Sequence, residues 1–142
     1  MRRGASKKIP AVAIRFITNN ELAYETHDML TDFINWQPLY NLYATPDGII
    51  VHLELAGVDL EDIVIYLRSR YMVVIGNRQA PAALTRNCCV FHTLEVAYGR
   101  FRRRIEFPVP VEIKQYQHEV RNGMLTLHFQ AVKEKLIPIE GA

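Results

Sequence analysis

The sequence of 142 residues has little of several features that define large classes of protein. Its two cysteines, Cys88 and Cys89, are adjacent, and neighbouring side chains of a strand point to opposite faces, so we expect no disulfide framework. Lys and Arg total 17 against 15 Asp and Glu. This net charge of +2 is too balanced for a polycation that binds nucleic acid.

Long apolar runs are also missing. No run approaches the roughly 20 residues that a membrane span needs. The basic first residues precede a stretch that Pro10 and Arg15 interrupt, so it lacks the uninterrupted apolar core of a signal peptide. We therefore expect a cytoplasmic protein with no membrane span, in keeping with the few cysteines.

Patterns for catalysis, metal binding and nucleotide binding are scarce. The five histidines lack the spacing of metal ligands, and there is no glycine-rich phosphate loop. Cys88 or Cys89 with His92 is the one local nucleophile–base pair, and nothing around it resembles a helix N-terminus or an oxyanion loop. We expect no enzyme, no metal and no cofactor. Alkylation of the cysteines tests the enzymatic alternative.

What is present indicates one globular domain with an extension at each end. Hydrophobic residues make up 49% and charged residues 23%, an ordinary globular composition. A chain of this length buries about 68% of the surface that its unfolded form exposes. We divide it into an N-terminal arm (1–38), a domain (39–130) and a C-terminal tail (131–142).

The arm is predicted to contain a helix over about 19–35. Thr18 and Glu21 have the spacing of a capping box, and Pro38 ends the pattern. The arm carries more apolar side chains than an isolated helix can bury, and methionine and aromatic side chains suit surfaces that fit many partners. They are Phe16, Leu22, Met29, Leu30, Phe33, Ile34 and Trp36. The alternative is that this helix packs on the domain or inside an oligomer.

Past Pro38 the pattern changes to short strands. Alternation and turn residues predict them at 40–44, 49–55, 63–67, 71–75, 91–107 with an interruption at Gly99, 116–121 and 124–130. Asn122-Gly123 is the strongest hairpin signal in the chain. Seven or eight short strands with no helices between them predict an all-β fold, an antiparallel β-sandwich.

An arginine lies among apolar residues in the strand before Pro108. Alternation places Phe101, Arg103 and Ile105 on one face, and an unpaired charge there is very costly. One interpretation is an RNA-binding stripe with aromatic stacking, and the other is a structural or interface arginine. The near-neutral total charge, with Glu95 and Glu106 nearby, favours the second.

The tail contains a short apolar segment, Ile137-Pro138-Ile139, after a polar stretch. Pro138 excludes a helix, so Ile137 and Ile139 project to the same side of an extended chain. That is the form of a peptide that adds to a sheet edge and fills two pockets. The alternative is a final edge strand of the same domain.

Residues 36–139 resemble the small heat shock proteins, the α-crystallin domain family. The most specific part is 95–108, Glu-Val-Ala-Tyr-Gly-Arg-Phe-Arg-Arg-Arg-Ile-Glu-Phe-Pro. The hairpin 122–127, the turn 55–58 with Asp62-Ile63, and Ile137-Pro138-Ile139 follow the family pattern in order and spacing. His118 departs from it, because a small residue is usual there.

The resemblance implies a sandwich that dimerises and then forms a larger homo-oligomer. A strand from the loop at about 77–90 is expected to cross to the partner, as in bacterial and plant members. Arg103, Tyr98 and Phe91 are expected at the dimer interface. The tail is expected to dock by Ile137 and Ile139 between strands 63–67 and 116–121 of a neighbouring dimer. The groove residues are Ile63, Ile65, Leu67 and Val120.

The activity that the resemblance implies is that of an ATP-independent holdase. Such a chaperone binds partly unfolded client proteins and prevents their aggregation, and we assign client contact to the apolar side chains of the arm. The alternative is a co-chaperone or adaptor β-sandwich that binds one folded protein. The alternative needs neither an isoleucine tail nor a large assembly, so the native mass separates the two.

Overall fold

The computed structural model describes residues 14–18, 34–85 and 89–133, and within them eight strands form two four-stranded sheets. The strands are β1 (Arg15–Ile17), β2 (Tyr40–Ala44), β3 (Gly48–Glu54), β4 (Val64–Leu67), β5 (Tyr71–Arg78), β6 (Gly99–Glu106), β7 (Val111–Arg121) and β8 (Met124–Ala131). Sheet A has the order β1-β4-β5-β6, and sheet B has the order β2-β3-β8-β7. The predicted β-sandwich is confirmed, and β1, which pairs with β4 in parallel, is the exception to its antiparallel pattern.

The core lies between the two sheets and follows the predicted alternation. On the inner face of sheet A, Ile65, Leu67, Met72 and Val74 have no exposed surface. Burial of such a side chain contributes about 1.5–3 kcal/mol relative to leaving it in water. The facing side chains of sheet B are Ile49, Val51, Leu53, Leu125, Leu127 and Phe129.

The strand predicted at 91–107 is shorter than expected. β6 begins at Gly99, whose φ of +102° is a backbone conformation that residues with a side chain rarely adopt. Residues 89–98 precede it without strand pairing and are largely exposed, and one helical turn, α1 (Ala82–Thr85), follows β5. The prediction was wrong here because alternating apolar residues indicate a strand but do not supply its neighbour.

The arm is described in two pieces. The helix predicted at 19–35 lies outside the described residues except at its end, where Ile34 and Asn35 are not helical and Trp36 forms a parallel bridge to Phe101. The first piece contains β1, which was not predicted. In the described ranges no helix has the length and apolar character needed to cross a bilayer.

Candidate functional site

The tail is predicted to dock between β4 and β7, and this predicted site is called the groove here. β4 and β7 belong to different sheets, and the arm segment of Ile14 and β1 lies beside β4. The amide of Arg15 donates to the carbonyl oxygen of Ile63 at 3.2 Å, and Phe16 is in register with Ile65. Ile14 is only 4% exposed and belongs to the core. An arm segment therefore occupies the place beside β4 that was predicted for a tail.

Phe16 provides the contact of this segment with β7. Its ring centroid lies 4.8 Å from that of Tyr116 and 5.0 Å from that of His118, both in tilted arrangements. Aromatic pairs of this kind contribute about 0.5–1.5 kcal/mol beyond their buried area. Burial raises the pKa of the Tyr116 phenol above its usual value of 10.0. The imidazole ring of His118, at a position where a small residue is usual in the family pattern, thus packs against the Phe16 ring.

The residues predicted to line the groove have two different environments. Ile63, Ile65 and Leu67 have no exposed surface and point into the main core, while Val120 is 37% exposed on β7. Tyr116, His118 and Val120 alternate along β7 and so share one face. Ile137 and Ile139 lie outside the described residues, so the tail's docking stays a prediction.

The spacing of apolar residues in the arm is a sequence signal for β1. Ile14 and Phe16 are two residues apart around Arg15, which is the same apolar spacing as Ile137 and Ile139. An extended segment places such residues on one side, so both segments suit the same groove.

The second described piece of the arm begins at residue 34, and its Trp36 ring packs against a buried arginine, Arg78. Arg78 is 8% exposed at the end of β5, and its guanidinium carbon lies 4.0 Å from the centroid of the Trp36 ring. Its Nη1 donates to the carbonyl of Ala97 at 3.3 Å, and Nη2 is 3.8 Å from the Oε2 of Glu54. Trp36 Nε1 donates to the carbonyl of Gly99 at 3.0 Å. Trp36 therefore fixes the end of the arm on the domain, and its contact with clients stays a prediction.

Arg103 lies on the inner face of β6, as the alternation predicted. It is half-buried, and its Nη1 donates to the Oε1 of Gln37 at 3.3 Å. Its guanidinium carbon lies 4.7 Å from the ring centroid of Tyr40 on β2, so this arginine joins the outer strands of the two sheets. Tyr98 is half-buried just before β6, and Phe91 is 47% exposed. Their place in a dimer interface stays a prediction.

The segment before β6 exposes a row of apolar side chains. Val90 is 85% exposed, Leu94 62% and Val96 60%. Among the described residues β2 pairs with β3 alone, so its other edge carries unpaired backbone groups. The swapped strand was expected at about 77–90, but Asn77 and Arg78 belong to β5. The exchange of a strand with the partner stays a prediction, and the exposed apolar side chains before β6 lie at 90–96.

In the described part of the chain, no arrangement of side chains supports an active site or a metal site. Cys88 lies outside it, and Cys89 and His92 are exposed. His52 Nδ1 lies 2.7 Å from the Oγ1 of Thr126, across the surface of sheet B. Of the residues described, no group of three His, Cys, Asp or Glu side chains is placed to hold a metal ion.

Solved structures share this fold. Heat shock protein 16.0 from Schizosaccharomyces pombe matches with a TM-score of 0.61 and 21% identity, over 75% of this chain and 97% of that one. A small heat-shock protein from Xylella fastidiosa matches with a TM-score of 0.59 and 19% identity, over 75% and 99% of the two chains. At this level of identity the likeness establishes the fold alone.

Curated relatives match part of the chain. Small heat shock protein hspF from Dictyostelium discoideum is 28% identical over 75 residues, which are 53% of this chain and 32% of that protein. The 22.7 kDa class IV heat shock protein from Pisum sativum is 29% identical over 84 residues, which are 58% and 42% of the two. The matches thus span less than half the length of these relatives.

The model of the Hsp20/alpha crystallin family matches residues 42–140, more than two thirds of the chain. The match covers every strand from β3 to β8, most of β2 and the predicted tail anchor. The chain therefore belongs to the Hsp20/alpha crystallin family, whose members are ATP-independent chaperones and not enzymes.

Proposed function

We propose that this protein is a cytoplasmic holdase that works as a homo-oligomer of dimers. It binds partly unfolded proteins through apolar surface, without ATP, and keeps them from aggregating. The observation that carries the proposal is the apolar row at 90–96, since Val90, Leu94 and Val96 are each at least 60% exposed. A subunit with apolar side chains outside its core needs a second copy or a client to cover them.

The dimer is proposed to form by exchange of this row. Residues 90–96 add to the open edge of β2 in the partner, so that each subunit supplies an edge and a strand. Arg103 and Tyr40 lie where β6 and β2 approach each other, and Arg103 stacks against the edge strand that receives the partner. Phe91 lies in the exchanged segment, and Tyr98 follows it.

Larger assembly is proposed to use the groove of β4 and β7. Ile137 and Ile139 of a neighbouring dimer insert beside β4, above Ile63 and Ile65 and next to Val120. In the structure Ile14 and Phe16 lie in this place. The two segments of the chain therefore compete for one groove, and tail docking requires β1 to leave.

Clients are proposed to contact the arm. Of its apolar residues, Phe16 and Trp36 contact the domain and Ile34 is 39% exposed. The proposed client contacts are therefore Ile34 and the side chains outside the described residues. These are Leu22, Met29, Leu30 and Phe33.

The test is a heat-aggregation assay without ATP, read as turbidity of a thermolabile enzyme, together with native mass. We expect the full chain to suppress turbidity at near-equal subunit and client concentrations, as a particle larger than a dimer. Leu94→Ser with Val96→Ser is expected to release monomers, because the exchanged row loses its apolar side chains. Val109→Ser is the control, since Val109 is 40% exposed outside this row. A monomeric wild type that leaves turbidity unchanged overturns the proposal.

A further inference from the structure

The outer face of sheet A, which points away from the core, carries a second apolar cluster. Val64 and Tyr66 of β4 and Val73 of β5 form it, and their exposed fractions are 8, 1 and 0%. Alternation turns these residues away from the main core, which Ile65, Met72 and Val74 fill on the opposite face. Ile17, Tyr71 and Ile75 pack against these three side chains and are partly buried, so the apolar surface extends across β1, β4 and β5.

Arginines border this apolar floor. Arg100, Arg102 and Arg104 alternate on the outer face of β6, and Arg15 lies on β1 at the other side. Arg15, Arg100 and Arg102 line a cleft of about 450 Å³ on this face, together with Ile34. Asp62 also lines the cleft, and Glu106 pairs with Arg104 at 2.6 Å. The face is thus apolar at its centre and cationic at its rim.

The ends of the two described pieces of the arm lie at opposite edges of sheet A. β1 pairs with β4 in parallel at one edge, and Trp36 bridges Phe101 of β6 in parallel at the other edge. Because β4 and β6 each run antiparallel to β5, the segments on both sides of residues 19–33 run in the same direction. Parallel segments of one sheet need a crossover connection of a dozen or more residues, usually a helix.

The length of the connection fits a path over the outer face. Four strand spacings separate β1 from the Trp36 segment, which is about 19 Å. A helix of the 15 residues 19–33 is about 22 Å long. The inner face is filled by the core against sheet B, so the outer face is the direct route.

The composition of residues 19–33 is complementary to this face. The segment has four acidic side chains and no lysine or arginine. In the helix that the sequence predicts, Glu21, Glu25, Asp28 and Asp32 fall on one stripe, at spacings of four, three and four. Leu22, Met29 and Phe33 form an apolar stripe beside it.

We propose that the outer face of sheet A is the docking surface for residues 19–33 of the same chain. The apolar stripe lies on Val64, Tyr66 and Val73, and the acidic stripe lies along the arginines of β6. The surface recognises an acidic amphipathic helix by its charge and its apolar floor together.

This inference deepens the proposed function, because Leu22, Met29 and Phe33 are proposed client contacts. It gives them a defined position in the subunit without a client. Its test, by hydrogen exchange and cross-linking, measures the position of the arm and not the chaperone activity. A chain that fails the aggregation assay but passes this test would overturn the proposed function alone.

Amide hydrogen exchange of residues 19–33, measured by mass spectrometry on the full chain, tests the docking. We expect Arg100→Glu with Arg102→Glu to raise the exchange rate of these amides about tenfold, because attraction becomes repulsion at two sites. Glu25→Lys with Asp28→Lys is expected to do the same. The chain with all four substitutions is expected to return to within about threefold of the wild type.

Lys114→Glu with Arg121→Glu is the matched control, since both residues are exposed on β7 of sheet B and the charge change is identical. It is expected to leave exchange of residues 19–33 unchanged. Equal exchange in all these chains, or wild-type exchange as fast as that of a free peptide, overturns the docking. Failure of the four-fold substituted chain to recover overturns the pairing of the two charged stripes.

A cross-link identifies which chain supplies the segment. Arg102→Lys keeps the charge and introduces an amine that a carbodiimide couples to a nearby carboxylate. The variant is refolded from an equal mixture of ¹⁴N- and ¹⁵N-labelled chains and cross-linked. We expect cross-linked peptides to Glu21, Glu25, Asp28 or Asp32 within one isotope. Mixed-isotope peptides at half of the total indicate a second copy as the occupant and overturn docking within the chain.

Discussion

The hairpin turn between β7 and β8 depends on the absence of one side chain. Asn122 has φ of 53° and Gly123 has φ of 78°, and a Cβ on Gly123 would lie 2.7 Å from the Cα of Ala56. We expect Gly123→Ala to lower the free energy of unfolding by about 2 kcal/mol, through the left-handed backbone and the contact with Ala56. Urea unfolding followed by circular dichroism measures the loss.

Asn122→Gly is the control for that substitution. It removes a side chain from the same turn at a left-handed position, so we expect a change within about 0.5 kcal/mol. Because the Asn122–Gly123 turn also sets the register of Val120 against Leu125, Gly123→Ala is expected to weaken the β7 side of the groove. Equal losses from the two substitutions would contradict the contact with Ala56 as the cause.

Arg103 and Arg78 show how far the environment of a single residue can be predicted from the sequence. Alternation from Phe101 placed Arg103 on the inner face, and the structure agrees. The same alternation from Met72 and Val74 places Arg78 inside, but the predicted strand stopped at Ile75, before reaching it. An alternating strand pattern predicts which face of the sheet a residue occupies, but not how deeply the residue is buried. Burial of Arg78 depends on Trp36, which is 42 positions away in the sequence and reaches it only in the fold.

Segment Ile14–Ile17 and the tail anchor are expected to exclude one another from the groove. In a chain whose own anchor is removed by Ile137→Ala and Ile139→Ala, we expect Phe16→Ala to increase the affinity for a synthetic peptide of residues 134–142 about tenfold. The reason is that Phe16 gives up its ring contacts with Tyr116 and His118, so the open groove becomes more populated. Calorimetric titration measures the affinity.

Thr18→Ala is the matched control, because Thr18 follows β1 and is exposed. It is expected to leave the peptide affinity unchanged. Weaker binding to the Phe16→Ala chain would mean that Phe16 forms part of the peptide site and does not compete for it. An unchanged affinity would place the peptide elsewhere on the subunit.

Whole strands were predictable where both partners are close in the sequence. The strand at 40–44 matches β2, and the hairpin across Asn122-Gly123 matches β7 and β8, because turn residues and alternation are local signals. β1 was missed, since a three-residue strand has no periodicity and its partner β4 is nearly 50 residues away. Residues 91–98 were assigned to a strand because their apolar residues alternate, but among the described residues this segment pairs with no strand.

Over the whole molecule, hydrophobic residues make up 49% of the chain, and they do not all belong to one core. The sandwich buries its own alternating residues, while Val90, Leu94 and Val96 remain exposed. The outer face of sheet A holds a second apolar cluster that borders the arm. A near-neutral chain with such surface has little charge repulsion to keep copies apart, which favours association. The proposed assembly would cover this exposed apolar surface.

The size of the assembly is expected to depend on two side chains of the tail. Ile137→Ala with Ile139→Ala is predicted to reduce the native mass to that of a dimer, twice the subunit's 16.4 kDa, because the dimer edge at 90–96 is untouched while the groove loses its apolar ligand. Multi-angle light scattering measures the mass, and Leu136→Ala serves as the control. A variant that keeps the wild-type mass would refute docking by the tail. A fall to the monomer would mean that the tail also holds the dimer together.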